Sequence, residues 1–530
     1  FSACSSAPAG GSTPAAQTGG ALRWGIPYEP DTLDPHKTRS EYSNYVMSLI
    51  GSALTTVGPD GSIIPYAAQS WSVSADGLVW EFQLRSDMTF HSADGSAGDP
   101  ITAKDYAWTY TRAIHPDTAS PAAAALLKPL VRAEAVDDFT LRLTLSEPRP
   151  GLLFNLSAAG YLQPLPRRVL EEMGEEAFGR SPMGSGPFRL KRWMPNNRLI
   201  LDRNPAYTWG PDTGQGTGPY SIGFVEFRIL PDEQTLLKQL QEGVIDAAFV
   251  DADDLAAFDD PSRFDIYAQP LQGLQPYLAI NLQQPPLDDL NVRKALNLAL
   301  DRRTLIDDLQ IGDALVQYGP LSVSMNGYWP GVEDAGYRYD PDQAADFLLA
   351  SGYRRADGET FWSRDGRPLV IEFLTAEVDE PTARLTQAIA EQYRAFGLDV
   401  RLVTVDAAAI AEQTRAGDYQ MALAGWSYPD ADLLYLLFHS GRVDFSSPGP
   451  SNIQRVTDPQ LDALLEQIHG GANPADRQSA IVAAQQYLLE KAVLVPLYTP
   501  VQHLVLGARV EGELFSPAFG LNYAGAHINE

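Results

Sequence analysis

Cysteine is nearly absent: Cys4 is the single one in 530 residues. No disulfide can form within the chain, and a zinc centre built from cysteines is excluded. Histidine is sparse and scattered. His36, His91, His115, His439, His469, His503 and His527 never fall into an H-x-x-x-H pair, so no metal site is expected. No cluster of Lys and Arg exceeds three residues, and the formal net charge is −28. A nucleic-acid partner needs a basic footprint and is not expected. No window of 18 residues is apolar throughout, so there is no candidate membrane-spanning helix. There is no G-x-S-x-G elbow, and the one cysteine lies in a polar tail, so no activated nucleophile and no cofactor are expected.

What is present is a chain with 44% apolar residues, enough for several cores. At roughly 100–200 residues per domain it should hold a few domains. It opens with FSAC, and Ser5–Gly20 follows without a charge. That Ser/Ala/Pro/Gly/Thr stretch reads as a flexible tether. A lone cysteine between small residues and such a tether resembles a bacterial lipobox, although Phe1 stands where Leu is usual. Lipidation of Cys4 is expected, with the body held at a membrane surface through lipid only.

Leu78–Arg85 (LVWEFQLR) and Phe139–Ser146 (FTLRLTLS) alternate apolar and polar residues, as half-buried strands do. Between them ITAKDYAWTYTRAI reads as a helix capped by Thr102. Ser185–Asp202 reads as a hairpin around Pro-Asn-Asn. Ile222–Leu230, Pro231–Gly243 and Ile245–Val250 spell strand, helix and strand, a βαβ unit with parallel strands. The same grammar returns at Leu369–Thr375, Ala383–Phe396, Leu398–Val405, Ala407–Ala416 and Gln420–Trp426. Two α/β regions with a β-rich insert are therefore expected. In open α/β sheets ligands bind beyond the carboxyl ends of strands, which puts Trp426 and AGWSYPDADLLYLLFHS (Ala424–Ser440) at the rim of a crevice.

Five stretches in order carry a resemblance: EPDTLDPH (Glu29–His36), AAQSWSVSADGLVWEFQLRSDMTFHSADG (Ala67–Gly95) with the ITAKDYAWTYTRA that follows, GSGPFRLKRWMPNNRLILDRNPAYTWG (Gly184–Gly210), NVRKALNLALDRRTLI (Asn291–Ile306) and the Gly-Trp of Gly425–Trp426. The chain resembles the extracellular solute-binding proteins, family 5, of ATP-driven importers. The resemblance implies the class II periplasmic-binding-protein fold of the cluster C type: two α/β lobes with a hinge plus a β-rich domain. Residues 1–21 would be the lipoprotein N-terminus and tether. Domain I would comprise 22–60, 184–274 and 497–530, domain II 61–183 and domain III 275–496, with crossings near Ala268–Pro276 and Leu494–Pro500. It implies an extracytoplasmic, monomeric binding protein that is not an enzyme, captures a solute by hinge closure and delivers it to a membrane permease.

In peptide-binding members an extended peptide pairs with two backbone segments. By position these are Glu29, Pro30 and Asp31 on one side, and Gly425, Trp426, Ser427 and Tyr428 on the other. Tyr277, Asn281 and Tyr498 are further candidates for the cleft. Two departures stand out. Pro429 occupies the position of the aspartate that pairs with a peptide's α-amine, which leaves Asp430 as a substitute. Leu423 stands where some oligopeptide binders have an arginine. Asp432 reads as the start of the helix behind. The ligand is expected to be a peptide; a nickel complex, a sugar or another elongated small molecule is the alternative within the fold. A secreted hydrolase is the rival class, and it would need converged acid/base groups in the cleft.

Overall fold

The computed structural model describes residues 19–529 apart from 59–60, 93–94, 150, 215, 377–379, 429, 444–450, 472, 513, 515–520 and 522. Cys4 and Pro429, both singled out above, lie outside the described residues.

A seven-stranded sheet forms the first lobe. Its strands run in the order Phe188–Met194, Arg198–Arg203, Phe224–Ile229, Ala21–Ile26, Ala247–Val250, Val501–Gly507 and Phe264–Pro270. The expected hairpin pairs antiparallel, with Asn196 in the left-handed region at its tip. The expected βαβ unit is present with helix Glu233–Gln241, but its two strands are not neighbours. The N-terminal strand Ala21–Ile26 lies between them, parallel to both. Local sequence shows two parallel strands and a crossover; only long-range pairing shows what fills the gap.

The β-rich insert has a four-stranded antiparallel sheet: Ala68–Val73, Val79–Leu84, Thr140–Leu145 and Leu130–Ala135. Helix Ala103–Ile114 packs against it, and Asp105 Oδ2 accepts from the Thr102 backbone N–H at 2.8 Å. The insert and the first lobe share one apolar core. Trp80, Phe82, Tyr106, Tyr110, Leu141 and Leu143 belong to the same buried cluster as Trp24, Leu199, Phe227 and Leu506.

The remaining lobe is a five-stranded sheet in the order Asp399–Val405, Val370–Ala376, Met421–Trp426, Leu274–Ile280 and Leu494–Pro496. Helices cover both faces. In the strand Leu274–Ile280, Leu278 and Ile280 enter one core, while Tyr277 and Ala279 enter the other. A strand alternates faces with period two, so one covered on both sides is apolar throughout.

The chain passes between the two large sheets at 271–273 and again at 497–500, where Tyr498–Thr499 pairs with Leu315–Val316. Gly273 sits in the first crossing at φ 131°, and a Cβ there would lie 2.1 Å from the Trp426 carbonyl oxygen. Only glycine tolerates both that backbone and that approach.

Candidate functional site

A cavity of about 650 Å³ lies where both crossings meet the sheets. Leu271 of the first crossing, Gln275 and Pro276 at the start of the strand after it, and Tyr498 and Pro500 of the second crossing form its hinge side. Leu423, Ala424 and Gly425 contribute the end of a strand. Leu309, Ile311 and Leu385 add apolar surface from the five-stranded lobe. Asp253, at the start of the 3-10 helix Ala252–Phe258 that follows strand Ala247–Val250, comes from the first lobe, and Arg384 from the first turns of helix Glu380–Phe396 in the other.

The strand Met421–Trp426 has an open edge here. On one side Trp426 and Ala424 pair with Leu274 and Tyr277. On the other side pairing with Val370–Ala376 stops at Ala422, which faces Leu374. From Leu423 onward that edge has no strand partner among the described residues. An open edge bordering a cavity can accept an extended chain by backbone hydrogen bonds.

Of the residues expected from the sequence, the structure brings Gly425 and Tyr498 to this cavity. The others have different roles. Tyr277 is fully buried, because it points to the helix-covered face of its strand, where its hydroxyl accepts from Gln454 Nε2 at 3.3 Å. Asn281 is also fully buried and donates to the Gly417 and Tyr419 carbonyls, fixing the loop before the strand Met421–Trp426. Glu29 receives the Trp193 indole N–H at 2.7 Å and the Asn196 amide at 3.0 Å, which anchors the hairpin. Pro30 is buried beside it, and Asp31 accepts from Thr38 Oγ1, Ser43 Oγ and the Thr32 amide. Burial works to raise the Asp31 pKa, and those hydrogen bonds outweigh it and lower it. None of these five lines the cavity.

Trp426, Ser427 and Tyr428 lie just past the open edge. Trp426 is half-buried against the core formed by Leu434 and Leu465, and Ser427 Oγ donates to the Gln272 carbonyl at 3.3 Å. Tyr428 accepts a hydrogen bond of 2.6 Å from Arg149 of the insert. Asp430 is buried, and its Oδ1 accepts from Arg477 and from the Asp432 amide. It is therefore not free to take a ligand's amine: a buried carboxylate needs a partner, and the fold supplies Arg477. Asp432 does precede helix Leu433–Phe438, but its side chain does not cap it. It holds His469 Nδ1 at 2.7 Å and faces Arg149 at 4.0 Å. Burial acts to raise the Asp432 pKa, and the His469 hydrogen bond with the nearby cations brings it below the ordinary value. Tyr435 stacks on His469 with ring centroids 3.8 Å apart.

Asp253, Arg384, Gln275, Leu309, Ile311 and Leu385 were not anticipated. Asp253 and Arg384 both follow the carboxyl end of a strand, so the rule that drew attention to Trp426 would also have found them. No group of three or more His, Cys, Asp or Glu could hold a metal among the described residues.

Two α/β lobes joined by paired crossings, with a cavity at the junction, define a bilobal solute-binding protein. The sequence profile of the bacterial extracellular solute-binding proteins, family 5 (middle region), matches residues 62–445. The chain belongs to that family, a class of extracytoplasmic, non-enzymatic solute receptors of ABC importers. It is 26% identical over 504 residues to the periplasmic oligopeptide-binding protein OppA of Escherichia coli (strain K12), covering 89% of this chain and 85% of OppA. It is also 26% identical over 471 residues to heme-binding protein A of Haemophilus influenzae, covering 86% and 82%. The solved structure of HbpA2 from Haemophilus parasuis matches with a TM-score of 0.82 at 23% identity, over 96% of this chain and all of that one. No helix of the described residues is long and apolar enough to cross a membrane.

Proposed function

We propose that this protein captures a peptide in the cavity between its lobes and hands it to a permease, while Cys4 carries lipid that anchors a monomer to the membrane. The observation that carries the peptide reading is the open backbone edge from Leu423 to Trp426 beside the cavity. An extended peptide adds to such an edge through its main chain, so affinity depends weakly on sequence. The oligopeptide binder among the relatives supports this reading; the heme binder keeps a non-peptide solute as the competitor.

The first lobe would comprise 22–60, 184–274 and 497–530, the insert 61–183 and the last lobe 275–496. The first lobe and insert share a core and would move as one body, with the last lobe closing about 271–273 and 497–500. Closure is favoured only by contacts the ligand makes in the closed state.

Native mass spectrometry of protein purified without denaturation is the test. A mixed set of short peptides released intact is expected; a single non-peptide mass would replace the reading. Peptide addition should also make the solution scattering profile more compact. For the anchor, the mature protein from its native membrane should carry acyl mass on its N-terminal peptide, and unmodified Cys4 would remove the lipid.

A further inference from the structure

The turn 309–314 of the last lobe meets the first lobe directly. His503 Nε2 lies 3.0 Å from both carboxylate oxygens of Asp313. An ionised carboxylate has no proton to give, so the imidazole donates. His503 is held in place: it is almost fully buried, and its strand Val501–Gly507 is paired on both sides, with Val250 and Ala268 opposite it. The adjacent Gly312 lies so close to Ala252 of the first lobe that a Cβ on it would stand 2.1 Å from the Ala252 Cβ. None of these four residues lines the cavity, but their chain neighbours do: Gln310 and Ile311 before Gly312, and Asp253 after Ala252.

Resting on the hinge closure proposed above, we infer that the Asp313–His503 bond and the Gly312–Ala252 contact form a latch that holds the two lobes together beside the cavity and sets the affinity for solute without touching it. Lobes that turn about 271–273 and 497–500 change their separation away from those crossings. His503 lies three residues past the second crossing, about 10 Å along a strand. A hydrogen bond is gone once its atoms are about 3.6 Å apart, so a small rotation breaks the pair. The bare Gly312 lets Ala252 seat on the turn, and any side chain there would hold the lobes apart. A ligand that needs the closed form binds more weakly in proportion to the fraction of protein that is closed. Each contact made on closure therefore adds to the binding of every ligand the cavity takes.

The test measures the distance between spin labels at Lys238→Cys in the first lobe and Glu391→Cys in the last, in ligand-stripped full-length protein with Cys4→Ser. Asp313→Ala should shift the distribution away from the wild-type distance and weaken trileucine binding about fivefold in calorimetric titration, as expected for one lost hydrogen bond. Asp313→Asn keeps an acceptor and should stay near wild type. The Asp313 side chain is 56% exposed, so melting temperatures should not move. Gly312→Ala should shift the distances too, and adding Ala252→Gly should restore them, because the nearest remaining atom would then be the Ala252 Cα at 3.6 Å. Wild-type distances and affinity in Asp313→Ala would overturn the latch, and so would a Gly312→Ala shift that Ala252→Gly fails to reverse. If trileucine binds the wild type with no change in distance, hinge closure falls and the latch with it. If trileucine does not bind, the peptide reading is what fails, and the ligand-free distances still decide the latch.

Discussion

The insert meets its two neighbours in opposite ways. Against the first lobe it shares a continuous apolar core, reinforced by Arg112 in a bidentate pair with Asp34 at 2.7 and 3.0 Å. His91, fully neutral in role, accepts the Gly184 amide at Nδ1 and bonds the Gly186 carbonyl through Nε2. Against the last lobe the contact is a small polar cluster: Arg149 with Tyr428 and Asp432, backed by His469, Asp430 and Arg477. A cavity of about 320 Å³ lies at that seam, between Trp80 and Pro148 on one side and Gly471 and Arg477 on the other. Apolar burial scales with area and fails only when the whole interface separates. A few directional contacts beside a void can be broken and remade at modest cost. The difference assigns rigidity to the first seam and opening to the second.

The largest expected effect comes from the rigid seam. Phe82→Ala should cost about 4 kcal/mol, since Phe82 is fully buried in the shared core. Calorimetry should show insert and first lobe losing stability in one transition; two separated transitions would break the comparison.

Acid should weaken the same seam next. Burial lowers the His91 pKa from 6.5 to about 4. The unfolded chain then takes up a proton below pH 6.5 that the folded protein refuses. Stability is fully present above 6.5 and falls as pH drops, by about 3 kcal/mol by pH 4. His91→Gln should flatten that part of the denaturation profile, and an unchanged slope would remove His91 as its source.

Arg149→Ala probes the other seam. It should cost about 2 kcal/mol, less than for most broken buried pairs, because Asp432 keeps His469 and Arg149 stands 4.0 Å away. Urea denaturation measures this. Asp432 acts in the same direction as His91 but at lower pH. Its lowered pKa gives stability that is present above 3.8 and lost as pH falls below it, so Asp432→Asn should remove only the most acidic part of the profile.

The smallest change is Tyr428→Phe, which removes one hydrogen-bond acceptor from Arg149 and should cost about 1 kcal/mol. If the cluster joins only in the closed state, the loss should grow when peptide is bound. Equal losses with and without peptide would make the cluster a static tie.

Legibility followed the range of the interaction. Alternation placed strands at Val79–Leu84 and Thr140–Leu145 within a residue or so of their ends, and the helices at Ala103–Ile114 and Ala407–Ala416 were equally visible. These patterns reflect local periodicity, which neighbouring residues determine. Of the expected site residues, Gly425 and Tyr498 reached the cavity because they lie at a strand end and at a crossing. Tyr277 and Asn281 are buried away from the cavity lining: a strand covered on both faces gives no sign of which side is solvent, and Asn281, just past its end, is turned to the loop carbonyls of Gly417 and Tyr419. Asp430 failed because its partner, Arg477, is 47 residues away and joins it only through folding.

The sequence by itself determined the class of protein, its element types and its lack of metal-ligand spacing, since these depend on composition, periodicity and ordered motifs. Tertiary structure decided which charges are spent and which remain. Asp430 is held by Arg477 and Asp432 by His469 within the last lobe, and Asp432 faces Arg149 of the insert, while Asp253 and Arg384 line the cavity with no ion-pair partner among the described residues. Pairing between distant side chains decides this, because desolvation forces a buried charge to find a partner, while water suffices for an exposed one.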